Sequence, residues 1–166
     1  MRPLSLLLLL FLLLLLPRPS AAQLATTFED AMARGIRIGH LDSVYLSAVD
    51  VDTARAVRAV RVQEISTAYV QLLQGLGNFL KAHQFAWGKP TRCFNRIYFG
   101  ADGTVDYYLY KFKPGEIDPA REAEFRRLLG ELILTNKLDL RCSRPFAQCS
   151  PVTYNDAPAK KAVLQK

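Results

Sequence analysis

The chain has 166 residues, half of them hydrophobic, with 22 basic and 15 acidic side chains and a formal charge of +7. Those totals mislead: eleven leucines fall within Leu4 to Leu16, so the N-terminus and the rest are two separate objects. Three cysteines exclude a dense disulfide scaffold, and the scattered basic excess is small for a nucleic-acid binder.

Met1-Arg2-Pro3 carries a positive charge, the thirteen residues from Leu4 to Leu16 are apolar apart from Ser5, and Ser20-Ala21-Ala22 offers small residues before Gln23. Spanning a ~30 Å hydrocarbon core takes about 20 apolar residues, and Pro17-Arg18-Pro19 stops this run first. The expectation is a signal peptide over 1–22, cleaved before Gln23, and a periplasmic or secreted product without a transmembrane segment. Removal of 1–22 takes Arg2 and Arg18 but no acid, leaving 144 residues and a charge of +5. That length fits one domain, 23–154. In an oxidising compartment one cysteine pair is expected to close, leaving one thiol over. Lys160, Lys161 and Lys166 fall in a tail, 155–166, expected to be flexible and solvated.

Along the mature chain, Phe28, Ala31 and Met32 predict a short helix, and Gly35 and Gly39 an irregular connection after it. From Thr53 the run TARAVRAVRVQEIS fits helix or strand, with length favouring helix. Ile65, Ala68, Tyr69, Leu72, Leu73, Leu76, Phe79 and Leu80 line one face at 3.6 residues per turn and predict a core-facing helix. Gly75 and Gly77 within it suggest close approach of another backbone. Residues 23–90 are thus expected to be mainly helical.

From 91 to 154 the expected order is β-β-α-β. Cys93 to Phe99 and Val105 to Phe112 flank Gly100-Ala101-Asp102-Gly103, a turn sequence, and predict a hairpin. Cys93, Asn95, Ile97 and Phe99 share one face of the first strand; Phe94, Arg96 and Tyr98 share the other. Asp118-Pro119 reads as an N-cap followed by proline at the first helical position. Phe125, Leu128, Leu129, Leu132 and Ile133 form the buried stripe of the helix that follows. Phe146 to Tyr154 predicts a last strand, short and at an edge because Pro151 cannot donate to a ladder.

No catalytic, metal or cofactor signature emerges. His40 and His83 lie far from each other and from cysteine pairs, and Cys142 and Cys149 have the wrong spacing for structural zinc. His40-Leu41-Asp42-Ser43 holds triad residue types, but neighbours rarely converge on one point, and Asp42 with Ser43 reads as a turn or cap. His83 suits the carboxyl end of a helix. Asp102 at the hairpin tip reads as turn geometry, with Asp106 in the strand beyond. The tyrosines around Arg96 and Lys111 resemble a stacking platform only in composition, and no nucleic-acid partner is expected.

The segment CFNRIYFGADGTVDYYLYKF, followed by IDPAREAEFRRLLGELI and PFAQCSPVTY, resembles the C-terminal domain of TonB-type energy transducers. There too a strand, a turn with Asp-Gly, a second strand, a helix and a final strand follow in order; here Asp102-Gly103-Thr104-Val105 stands at the turn. The resemblance covers Cys93 to about Tyr154 and implies an envelope domain that binds another protein through a sheet edge. The membrane anchor and proline-rich linker of that family have no counterpart in this sequence.

Together these readings predict an α+β domain whose helical N-terminal half packs on a small antiparallel sheet of hairpin, helix and short edge strand. The expected function is an exported, non-enzymatic envelope protein that binds a protein or peptide, or a second copy of itself, through Phe94, Arg96, Tyr98 and Tyr107. The alternative is a small hydrolase or carrier of an apolar ligand, with a pocket between the long helix and the hairpin. With the last strand returning beside the first strand of the hairpin, Cys93 and Cys149 are the expected disulfide, Cys142 being the competing partner.

Overall fold

The computed structural model describes residues 23–48 and 62–156. The proposed signal peptide, the stretch from Thr53 to Arg61 of the ambiguous run, and residues 157–166 of the tail lie outside the described residues. The architecture is α+β. In chain order it comprises β1 (Leu24–Thr27), α1 (Phe28–Ala33), α2 (Ile38–Val44), β2 (Leu46–Ser47), α3 (Val62–Ala82), β3 (Thr91–Phe99), β4 (Val105–Phe112), α4 (Pro119–Thr135) and β5 (Phe146–Tyr154). No helix among the described residues is long and apolar enough to cross a membrane.

The sheet order is β1-β4-β3-β5-β2. Its centre is antiparallel: β3 pairs with β4 as a hairpin, and β5 returns along the whole of β3, from Thr91 opposite Tyr154 to Phe99 opposite Phe146. Two corrections follow. The sheet is mixed, because β1 and β2 add at the two edges in parallel. And β5 is neither short nor wholly at an edge: it runs nine residues, with β2 outside its first two.

Proline fits β5 because of backbone parity. The carbonyls of Pro145 and Ala147 accept from Leu46 and Ala48 N–H, at 3.3 and 3.1 Å, so odd-numbered residues of β5 face away from β3. Pro151 shares that parity, and its missing N–H therefore costs the β3 ladder nothing.

Local chemistry sets the turns and caps. Gly103 takes a φ of +85°, and a side chain there would collide with the Leu138 carbonyl. Asp102 Oδ1 accepts from Thr104 N–H at 3.2 Å and Thr104 Oγ1 at 2.6 Å, the turn geometry its position implied. Asp118 caps α4 by accepting from Ala120 and Arg121 N–H. At the end of α3, Gln84 has a φ of 59°, and Phe85 N–H reaches back to the Leu80 carbonyl at 3.0 Å, a Schellman-type closure with glutamine where glycine is usual. Gly75 and Gly77 do not mark close packing: a Cβ at either would meet nothing within 4 Å.

The main core lies between one face of the sheet and α3 with α4. Ile65, Ala68, Tyr69, Leu76 and Leu80 of α3 and the five stripe residues of α4 are all buried there. Phe125 sits against Phe85, Trp87, Tyr110, Phe112 and Tyr154, ring centroids 5.2–6.1 Å away. The core is not wholly apolar. Asn95 Nδ2 donates to Tyr154 Oη at 2.7 Å, Tyr154 and Tyr108 hydroxyls meet at 3.1 Å, and Tyr69 Oη meets Ser150 Oγ at 2.7 Å. Buried polar groups satisfied in this way specify one arrangement of helix on sheet. Asp156 is fastened too: it accepts from Trp87 and Gly88 N–H, both at 2.8 Å.

Candidate functional site

The opposite sheet face carries the residues expected to meet a partner. Strand alternation places Phe94, Arg96 and Tyr98 of β3 on it, paired with Lys111, Leu109 and Tyr107 of β4. Residues 28–45 fold back over part of this face. Thr27 caps α1 by accepting from Asp30 N–H at 3.1 Å, and Gly35, with a φ of +80°, lets the chain turn into α2. Ala31, Leu41 and Tyr45 then form a second, smaller core with Tyr98 and Leu109. The Tyr45 ring stands edge-on to Tyr98 and Tyr107, at 5.3 and 6.3 Å.

The cover divides the four expected contact residues. Tyr98 is fully buried, which corrects its assignment to an exposed face: it is core beneath α1 and α2. Tyr107 is half-buried at the rim of the same cluster. Phe94 is 40% exposed and touches only the Phe28 ring, 6.0 Å away, among the described aromatic residues. Arg96 lies between these regimes, its side chain 30% exposed.

A polar cluster marks the boundary. Arg96 Nη2 pairs with Asp42 Oδ1 at 2.6 Å, Tyr98 Oη donates to the same oxygen at 3.0 Å, and the guanidinium carbon sits 5.8 Å from the Tyr98 ring centre. The Nε of Arg96 is buried without a hydrogen-bond partner. Nearby, Tyr45 Oη donates to Asp106 Oδ2 at 2.8 Å. Burial pushes the Tyr45 and Tyr98 hydroxyls and the Asp106 carboxyl above their ordinary values. A cleft of about 250 Å³ opens here, lined by Asp42, Tyr45, Leu46, Arg96, Ala147 and Cys149.

From the cleft the surface continues along β5. Cys149 is opposite Arg96, and Pro151 opposite Phe94; both are exposed, as is Thr153. Among the described residues no strand lies outside Gln148–Tyr154. By parity, Cys149 and Thr153 present N–H and carbonyl groups on that side and Pro151 a carbonyl alone, so this edge can accept a strand with one donor fewer than usual.

All three cysteines are free in the structure, with no bond between Cys93 and Cys149. Cys93 opposes Val152 and packs in the main core, where its thiol donates to Asn95 Oδ1 at 3.2 Å and burial raises its pKa to about 12. Cys149 opposes Arg96 and therefore lies on the other face of the sheet. The returning strand brings the two cysteines into one sheet, as expected, and the pleat then separates them.

The weighed catalytic groups do not converge. Ser43 Oγ donates to the His40 carbonyl at 2.7 Å, within its own turn. His83 Nδ1 meets the Phe79 carbonyl at 2.9 Å at the end of α3. Asp102 pairs with Lys137 at 2.9 Å on the far side of the hairpin turn. No group of three or more His, Cys, Asp or Glu side chains among the described residues could hold a metal. Sequence reasoning did not bring the cleft residues Asp42 and Tyr45 to this site because their partners lie 54–61 positions away, at Arg96, Tyr98 and Asp106, a pairing that no local pattern encodes. Compared with known proteins, the chain matches no family model, and no curated protein or solved structure is significantly similar to it.

Proposed function

We propose that this is an exported, non-enzymatic cell-envelope protein that binds a protein or peptide partner at the open corner of its sheet. The observation that carries the reading is continuity: among the described residues, exposed Phe94, the Arg96–Asp42 cleft and the unpaired length of β5 adjoin on one side. An apolar ring beside an open edge is what an added extended segment uses, main-chain bonds supplying affinity and side-chain pockets selectivity. In this reading α1 and α2 serve as a packing layer that stops short of this corner. The TonB-like order of hairpin, helix and returning strand supports an envelope role of this kind and remains part of the proposal.

The alternative hydrolase or carrier needs a pocket between the long helix and the hairpin. The space there, lined by Leu72, Leu76, Val105, Tyr108, Leu132 and Ile133 among others, is about 10 Å³, scarcely one water. Capture from envelope extract, with wild-type protein and a Phe94→Asp variant as parallel baits and mass spectrometry as readout, tests the proposal. A protein retained by wild type and lost by the variant supports it; identical retention by both contradicts it.

A further inference from the structure

We infer that Gln23 is a fold-gated cyclisation site: as the first residue of the exported chain it would close to pyroglutamate when β1 is undocked and is held open by the folded domain. The inference rests on the reading that the chain is exported and cleaved before Gln23. A terminal glutamine has its own nucleophile beside its own electrophile. The α-amine attacks Cδ, a new N–Cδ bond forms, the bond from Cδ to Nε2 breaks, and Nε2 leaves as ammonia with the proton that the α-amine gives up. No oxidant or co-reactant is needed.

In the fold the leaving nitrogen is fixed. Gln23 Nε2 donates to the Val105 carbonyl at 2.9 Å and to the Ile133 carbonyl at 2.6 Å. The first bond extends the β1–β4 ladder, since Leu24 pairs with Tyr107 and Val105 lies two residues before it on β4. The second satisfies a carbonyl in the last turn of α4, where helix carbonyls lack intrahelical partners. Both amide hydrogens are thereby committed, to two elements remote in sequence, and the side chain must leave both before Cδ can curl back to the α-amine. The lactam would keep only the N–H that came from the α-amine, so a cyclised chain cannot restore both contacts. Cyclisation would therefore record time spent with β1 undocked and weaken its return.

The test uses the whole exported chain, with its first residue read by peptide mass. One portion is held folded at neutral pH and another in denaturant, and loss of ammonia from the terminal peptide is followed in both. The denatured chain is expected to cyclise, and the folded chain to lag by roughly tenfold or more, because opening must precede attack. After removal of denaturant, the cyclised chain is expected to melt below the uncyclised one. Equal rates, or equal melting, with Gln23 confirmed as the first residue overturn the inference and leave export standing. A first residue other than Gln23 overturns the cleavage site and, with it, the inference.

Discussion

Both faces of the sheet carry aromatic residues, six on one and three on the other, and they are covered in different ways. One lies under α3 and α4, helices of 21 and 17 residues whose buried stripes run the length of the strands. The other lies under α1 and α2, of six and seven residues, which reach Tyr98 and Leu109 but leave Phe94 and Pro151 in solvent. Cover length thus decides which aromatic residues are core and which are surface. Chemistry at the boundary follows: the short cover is tied down by Asp42 and Tyr45 through polar bonds to Arg96, Tyr98 and Asp106, whereas the long cover is held mainly by apolar packing.

The sharpest break is expected under the long cover. Phe125→Ala removes the ring at the centre of five aromatic contacts and should cost about 3–5 kcal/mol, measured by denaturant unfolding, because such a cavity cannot refill. Under the short cover, Tyr98→Phe keeps the ring and deletes its bond to Asp42, and about 1 kcal/mol is expected. Away from both faces, Gln84→Gly should stabilise by about 0.5–1 kcal/mol, since the left-handed backbone at φ 59° suits glycine; a lower Tm would show that the Gln84 side chain has a role of its own.

Thiol chemistry should follow the faces as well. In the native protein a thiol reagent is expected to label exposed Cys149 rapidly and Cys93 only after unfolding, by peptide mapping. A Cys93–Cys149 bridge found by the same mapping would contradict the register.

The smallest effect expected is with pH. Burial raises the Asp106 carboxyl above its ordinary value of 3.8. The folded chain therefore holds this proton more tightly than the unfolded chain, and this group's contribution to stability is greatest below about pH 4 and falls as pH rises through its folded pKa. Glu29 has the opposite sign: its bond from Lys111 lowers its pKa below 4.5, so the stability it adds is lost as pH falls through its folded pKa. That pair is exposed and small in effect. Asp106→Asn should keep an acceptor for Tyr45 and remove the first slope, seen by comparing melts at pH 4 and pH 7.

Much of this was legible in sequence where signals are local. The hairpin, α3 and α4 follow from strand alternation, Asp-Gly turn chemistry, helical spacing and the Asp118-Pro119 cap. The edge strands were not, because LATT and LS are too short for alternation and pair in parallel with residues about 80–100 positions away. Gly39 disguised α2 as irregular chain. For the site, alternation correctly grouped Phe94, Arg96 and Tyr98 on one face. Which of them stay exposed depends on how far residues 28–45 reach when folded back, and that is set by tertiary packing.

Paired aspartate substitutions on β3 test the central claim most directly. Phe94→Asp, in the open corner, is expected to shift Tm by no more than the effect of about 0.5 kcal/mol usual for surface changes, while abolishing partner capture. Tyr98→Asp places a charge in the small core and is expected to unfold the cover or the whole domain. A Phe94→Asp protein that melts as early as the Tyr98→Asp protein, or one that keeps full capture, would contradict the division of this face into core and working surface.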